Sequence, residues 1–283
     1  MQTHARPSLL QSLRELPEYA QVLVNLVARD LKVKYQRSVL GFLWTLVYPA
    51  FMLGIYIVIF GLVLRIDIEN FWAYLIAGLL PFQFLTAAVV EGSHAIRTNS
   101  SLIRKIYFPA EVLVIATVTA KLVEFLGQLA VAILFLAIWH HGDAVGVSLG
   151  KAMGVLPGAI AALYLLALGL ALPLAAWSVI WRDLEHLVAL AMTAWFYLTP
   201  IFWNVELARR HIGQAAQWFV LNPAMNVIEL FRGPLYWGAW PANHAIGGGP
   251  GTAWATALLG SCLIFVLGYI LFNRSKRILS EVV

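Results

Sequence analysis

Two ionisable residues inside a long apolar run, Lys121 and Glu124, are the first whose types and spacing could do chemistry. At i and i+3 of a helix they share a face and can pair. Charge at hydrocarbon depth is costly, so such groups face a bundle interior or an aqueous path. Two readings stay open: a polar lining of a path, or a structural pair between helices. A second group is basic. Arg29, Lys32, Lys34 and Arg37 lead directly into the apolar run that continues to Leu64, with Gly41 and Trp44 where the polarity changes. Cations at that position hold a segment on anionic headgroups.

Other chemistries fail on their residue sets. No G-x-x-x-x-G-K-[ST] occurs, and the glycine-rich Gly247–Thr252 lacks the lysine that a phosphate-binding loop needs. His140, His141 and Asp143 fall short of a metal ligand set, so no metal site is expected. Ser93 and His94 are sequence neighbours, which points them apart on a helix, and no third member completes a nucleophilic triad. Catalytic residues are therefore expected to be absent. The single cysteine, Cys262, lies in an apolar run as a small packing residue and excludes an internal disulfide.

The elements that must position these residues are membrane spans. Of the 283 residues, 61% are hydrophobic and 12% charged, and the mean hydropathy is +0.80. That is too apolar for an ordinary soluble domain. Several runs exceed the ~18–20 residues that cross ~30 Å of hydrocarbon. The net charge of +5 sits beside these runs, which assigns it to topology and headgroups rather than to nucleic acid. No secretory signal peptide is expected, because the first residues are polar and charged.

The pattern predicts an all-α polytopic membrane protein in two parts: 1–38, a leader and amphipathic helix, and 39–283, a transmembrane domain. From Glu18 to Gln36 a helical period puts Tyr19, Val22, Leu23, Leu26 and Val27 on one face. This helix is expected in the interface plane. Six spans are predicted over 41–64, 71–93, 111–139, 153–180, 186–203 and 253–272. Thirteen Lys and Arg on one side against five on the other put both termini in the cytoplasm. Trp72, Trp139, Trp203 and Trp254 mark outer ends, and Trp44, Trp177 and Trp181 mark inner ends. Pro173 and Pro200 are expected to interrupt their spans.

Two connections exceed what a connector needs. Residues 94–110 carry Leu102, Ile103, Ile106, Tyr107 and Phe108 beside Arg104 in a short cytosolic element that calls for a partner or for the membrane surface. In 204–252, the stretch Leu221–Trp237 is too apolar for a free loop and too short to span. Broken by Pro223, Gly233 and Pro234, it reads as a re-entrant or interfacial helical hairpin.

Five blocks in order carry a resemblance: RDLKVKYQRSVLGFLW (Arg29–Trp44), LIRKIYFPAEVL (Leu102–Leu113), WRDLEH (Trp181–His186), FYLTPIFW (Phe196–Trp203) and LNPAMNVIELFR (Leu221–Arg232). They look like the permease subunit of ABC-2-type exporters of O-antigen, teichoic acid and related cell-surface polysaccharides, over almost the whole chain after about residue 20. The resemblance implies six transmembrane helices in a homodimer in the bacterial inner membrane, paired with two copies of a cytosolic ATPase. ATP and Mg would be bound by that ATPase and no cofactor by this chain. The cargo would be an undecaprenyl-linked polysaccharide. The N-terminal helix would be a cytosolic gate, with Arg29, Lys32, Lys34 and Arg37 near the carrier headgroup. Leu102, Ile103, Arg104, Ile106, Tyr107 and Phe108 would form the coupling helix seated on the ATPase. Asn222, Pro223, Glu229 and Arg232 would belong to the outer gate. Lys121 and Glu124 match no motif of the family.

Alternative readings are a lipid or drug permease of the same type, a membrane-embedded glycosyl- or acyltransferase, and a secondary transporter. The transferase needs an acidic or histidine cluster at one interface, and the secondary transporter an internal repeat with paired broken helices. Neither pattern is present in the sequence.

Overall fold

The structure, a computed structural model, describes residues 19–36, 41–100, 109–139, 148–243 and 247–282, with side chains to Ser275. Among these residues every regular element is helical. In chain order they are α1 (Ala20–Tyr35), α2 (Gly41–Val63), α3 (Phe71–Ser93), the short α4 (Ala95–Thr98), α5 (Glu111–Trp139) and α6 (Leu149–Ser178). They continue with α7 (Leu184–Leu198), α8 (Val205–Ile212), a 3-10 stretch (Gly213–Leu221), α9 (Pro223–Leu235) and α10 (Pro250–Val282).

Five of these helices are long and apolar enough to cross a membrane: α2, α3, α5, α6 and α10. The fifth predicted span, 186–203, appears as the 15-residue α7. At ~1.5 Å per residue such a helix covers roughly 22 Å, short of a ~30 Å core. Its end has a local cause. Pro200 pushes the residue before it out of the helical region, and Thr199 is extended at φ −93°, ψ 134°. Hydropathy runs on past that point, but the backbone does not. Pro173 behaves differently from expectation: α6 runs continuously through both Pro157 and Pro173.

Within the bundle, α3 is the central element. Its most apolar window is 78% buried, against 6% for α2, which lies almost wholly outside the core. α3 packs on α5, α6 and α9, and α10 packs along α6. The α6–α10 crossing depends on two glycines. A Cβ built on Gly268 would lie 1.8 Å from the Gly169 carbonyl oxygen, and one on Gly169 would lie 2.6 Å from Phe265 Cα. Backbone therefore rests on backbone. In lipid, where burial of apolar surface gives helices no preference for each other over acyl chains, that close contact is what holds them together.

Within Leu221–Trp237 the chain forms a single helix, α9 (Pro223–Leu235), rather than the predicted hairpin. Pro223 takes the first helical position, where its missing N–H costs nothing, and Pro234 falls in the last turn. The two prolines thus bound α9 instead of breaking it. Every residue from Ala224 to Leu235 is buried, against α3, α6 and α10. Its turning partner is the preceding α8 and 3-10 stretch, which meets α9 through Val205, Ala216 and Met225.

Candidate functional site

Lys121 and Glu124 lie on α5, as predicted, but their nearest partners come from elsewhere. Lys121 Nζ is 2.6 Å from Glu91 Oε1 on α3 and 3.7 Å from Glu124 Oε1. Glu124 Oε2 accepts a 2.6 Å hydrogen bond from Lys34 Nζ on α1. Four side chains on three helices thus alternate in sign: Glu91, Lys121, Glu124, Lys34. The lengths of the helices set their level. α5 has 29 residues, so it spans ~43 Å and overshoots a ~30 Å hydrocarbon core. Glu91 stands two residues before the end of α3, at the end of the bundle where α1 lies. The cluster therefore lies near that end of α3 and, because α5 extends well beyond α3 there, close to the middle of α5.

Several contacts dock α1 and the start of α2 on α5 and α4. The α2 residue Thr45 offers its carbonyl to Gln128 Nε2 at 2.8 Å. Phe42 lies over Gly127, where an added Cβ would meet Phe42 Cζ at 2.5 Å, and Tyr35 packs edge-on against Phe42 at 5.7 Å. Burial, together with the nearby Glu124 carboxylate, pushes the Tyr35 phenol above its usual range. Further along α1, Arg29 pairs with Asp30 at 2.8 Å and donates to Asn99 Oδ1 at 2.9 Å. Asn99 closes α4 through its own bond to the Ala95 carbonyl. Arg97 of α4 pairs with Glu185 in the first turn of α7 and bonds the Arg182 carbonyl. α1 and α7 both grip α4 in this way.

Two cavities adjoin the cluster. The larger, about 830 Å³, runs between α2, α3, α5 and α7. Aromatic rings line it (Trp44, Tyr48, Tyr56, Phe82, Phe196, Tyr197), together with the amides and hydroxyls of Gln83, Thr86, Gln128 and Thr193. The smaller, about 570 Å³, lies between α1, α4 and α5 and is lined by Arg29, Asp30, His94, Thr98 and Asn99 among others. Lys34, Glu91, Lys121 and Glu124 line both.

At the other end of the bundle, α9 is fastened to the end of α7 at two points. Asn222 caps α9 by accepting from the Ala224 and Met225 amides, and its Oδ1 also accepts from Trp195 Nε1 at 3.0 Å. Its amide nitrogen donates to Thr199 Oγ1 at 3.0 Å. Arg232 is fully buried. It donates to the Pro200 and Ile201 carbonyls at 2.5 and 3.1 Å, pairs with Glu229 at 3.1 Å, and lies 3.8 Å over the Tyr74 ring. Gly78 leaves room for it: a Cβ there would sit 2.9 Å from Arg232 Nη2.

The predicted site residues thus separate into groups. Lys34, Lys121 and Glu124 come together, Arg29 lies beside them in the smaller cavity, and Lys32 is exposed on α1. Asn222, Pro223, Glu229 and Arg232 share α9 and face inward as packing and capping groups, away from both cavities. Leu102, Ile103, Arg104, Ile106, Tyr107, Phe108 and Arg37 lie outside the described residues. Glu91, Asn99, Gln128 and the Arg97–Glu185 pair were not anticipated. Glu91 had one signal in the sequence: it is an acid placed at the end of an otherwise apolar run.

Comparison with known proteins adds two findings. A family model described as ABC-2 type transporter matches residues 21–236. Curated relatives are similar as well. A protein named O-antigen export system permease protein RfbA from Myxococcus xanthus is 30% identical over 228 residues, covering 81% of this chain and 85% of that protein. One of the same name from Klebsiella pneumoniae is 30% identical over 212 residues, covering 75% of this chain and 78% of that protein.

Proposed function

This chain belongs to the ABC-2 type transporter family, and from that membership we propose that it is the membrane subunit of an exporter for O-antigen-like, undecaprenyl-linked polysaccharide. The observation that carries this reading is the larger cavity. A glycan path needs flat apolar surfaces for sugar faces and scattered amides and hydroxyls for their edges. The lining of α2, α3, α5 and α7 supplies both. The smaller cavity, at the rim of the bundle, is the entrance. There α1 lies as an interface helix, with Arg29, Lys32, Lys34 and Arg37 near the carrier headgroup.

Energy comes from a separate cytosolic ATPase, which binds ATP and Mg; this chain binds no cofactor and carries out no catalysis of its own. Leu102, Ile103, Arg104, Ile106, Tyr107 and Phe108 dock on that ATPase. Support for this lies in α4, which immediately precedes that stretch in the chain and is tied to both α1 and α7 by the Arg29–Asn99 and Arg97–Glu185 contacts. The assembly is a homodimer with two ATPase copies in the bacterial inner membrane. A second copy would cover the exposed apolar faces of α2 (Leu43, Val47, Phe51) and α7 (Leu187, Leu190, Leu198). α7 makes the sixth crossing together with the bent segment that follows it. Both termini lie in the cytoplasm, a reading supported by the excess of cations on the α1 side. At the outer end, α8 and α9 with Asn222, Pro223, Glu229 and Arg232 form the outer gate.

The test is genetic and biochemical together. Deleting the reading frame should abolish surface polysaccharide while lipid-linked chains accumulate inside the cell. The tagged protein should also co-purify with a cytosolic ABC ATPase from its own cells. Normal surface polysaccharide in the deletion strain, or a permease that purifies alone, overturns the reading.

A further inference from the structure

The two cavities meet at one wall, built from Lys34, Glu91, Lys121 and Glu124. Three of these belong to the bundle helices α3 and α5, and only Lys34 arrives from α1. That helix has no fully buried residue, so it lies on the bundle without being embedded in it. Lys34 is 43% exposed, whereas Glu124 is 9% exposed and Lys121 7%. Lys34 is thus the half-exposed member that arrives from the peripheral helix, while Lys121 and Glu124 are enclosed on α5.

A pair of this kind would be hard to open if release stranded a buried carboxylate. The geometry removes that obstacle. Lys121 Nζ stands between two acids, 2.6 Å from Glu91 and 3.7 Å from Glu124, and Glu91 is itself 46% exposed. When Lys34 leaves, Lys121 can turn to Glu124 while water solvates Glu91. The buried charge stays compensated at every stage. The exposed bond is the one that breaks.

We propose that Lys34 and Glu124 form a releasable latch closing the passage between the two cavities, with Lys121 as the resident counter-ion that makes opening reversible. The inference rests on reading the larger cavity as a transport path. It adds which contact keeps that path shut and which residue lets it open.

Thiol accessibility in the assembled transporter tests the latch. Cys262 is replaced by serine and a single cysteine is placed at Ala87, which lines the larger cavity and not the smaller. A membrane-impermeant maleimide is then added from the α1 side of sealed vesicles. Lys34→Gln and Glu124→Gln should each label about fivefold faster, the population shift expected from losing one partly exposed ion pair. Lys34→Arg, which keeps the charge, should label at the parent rate. Lys32→Gln, which removes an exposed cation of the same helix that lines neither cavity, should also label at the parent rate, which a general loss of charge on α1 would not do. Parent-like labelling of Lys34→Gln overturns the latch, as does fast labelling of Lys34→Arg or of Lys32→Gln. Labelling needs no cargo, so either result is independent of whether the exported molecule is a polysaccharide. Failure of the deletion test above would remove the exporter reading and leave the labelling result standing.

Discussion

Two of the ion-pair sites among the described residues lie at opposite ends of the molecule and are built by opposite rules. Arg232 and Glu229 are enclosed, at 0% and 5% exposure, and the arginine is further held by two carbonyls and a tyrosine ring. Lys34 and Glu124 meet across two helices with the lysine nearly half exposed. A buried pair is costly to disturb because removing one partner strands the other in a low-dielectric setting. A half-exposed pair contributes little to stability, because water substitutes for whichever partner is lost. The first arrangement fixes α9 to the end of α7 and to α3, and the second leaves α1 free to leave α5. These two ion pairs are therefore a fastening at one end and a contact suited to exchange at the other.

Substitutions should separate the two sites by the size of their effect. Arg232→Leu should be the most damaging, at about 3–5 kcal/mol, since it leaves Glu229 buried opposite a methyl group. The measurement is the yield of monodisperse protein and its unfolding in mixed micelles. A yield equal to the parent would show that the outer site is no fastening. Gly78→Ala should come next, at about 1–3 kcal/mol, because the new Cβ enters the space of a guanidinium that has nowhere to retreat. Asn222→Ala should cost about 1–2 kcal/mol through the lost cap of α9, and it also removes the bonds to Trp195 and Thr199. Limited proteolysis between α7 and α9 should rise in step. Lys34→Gln should cost the least, about 0–1 kcal/mol by unfolding, while altering export more than Asn222→Ala does. If Lys34→Gln destabilised the protein as much as Arg232→Leu, the contrast between the ends would collapse.

How much of this was legible in the sequence depended on whether the pattern was local. Hydropathy and tryptophan placement located five of the long helices, because a span is a run of neighbouring residues. The Lys121–Glu124 pair was found for the same reason: i, i+3 spacing is local. Its better partners were not found, since Lys34 lies 90 residues away from Glu124 and nothing in either segment's period announces the other. α9 was misread as broken because a proline counts as an interruption until its position within the helix is known. Pro223 at the first position is a starter, and Pro234 in the last turn is a terminator. α7 shows the reverse error: apolarity persisted through Thr199 and Pro200, and the backbone turned there all the same.

The glycine contact between α6 and α10 also bears on how the chain is made. Gly169 must wait for Gly268 until about a hundred further residues have left the ribosome, roughly 5–20 s at ~5–20 residues per second. Throughout that interval the face of α6 shaped to receive a bare backbone has only lipid or the insertion machinery against it. The step that completes the bundle is thus among the last in biosynthesis, and any side chain larger than hydrogen at either glycine would block it after nearly all of the described helices are already in the membrane.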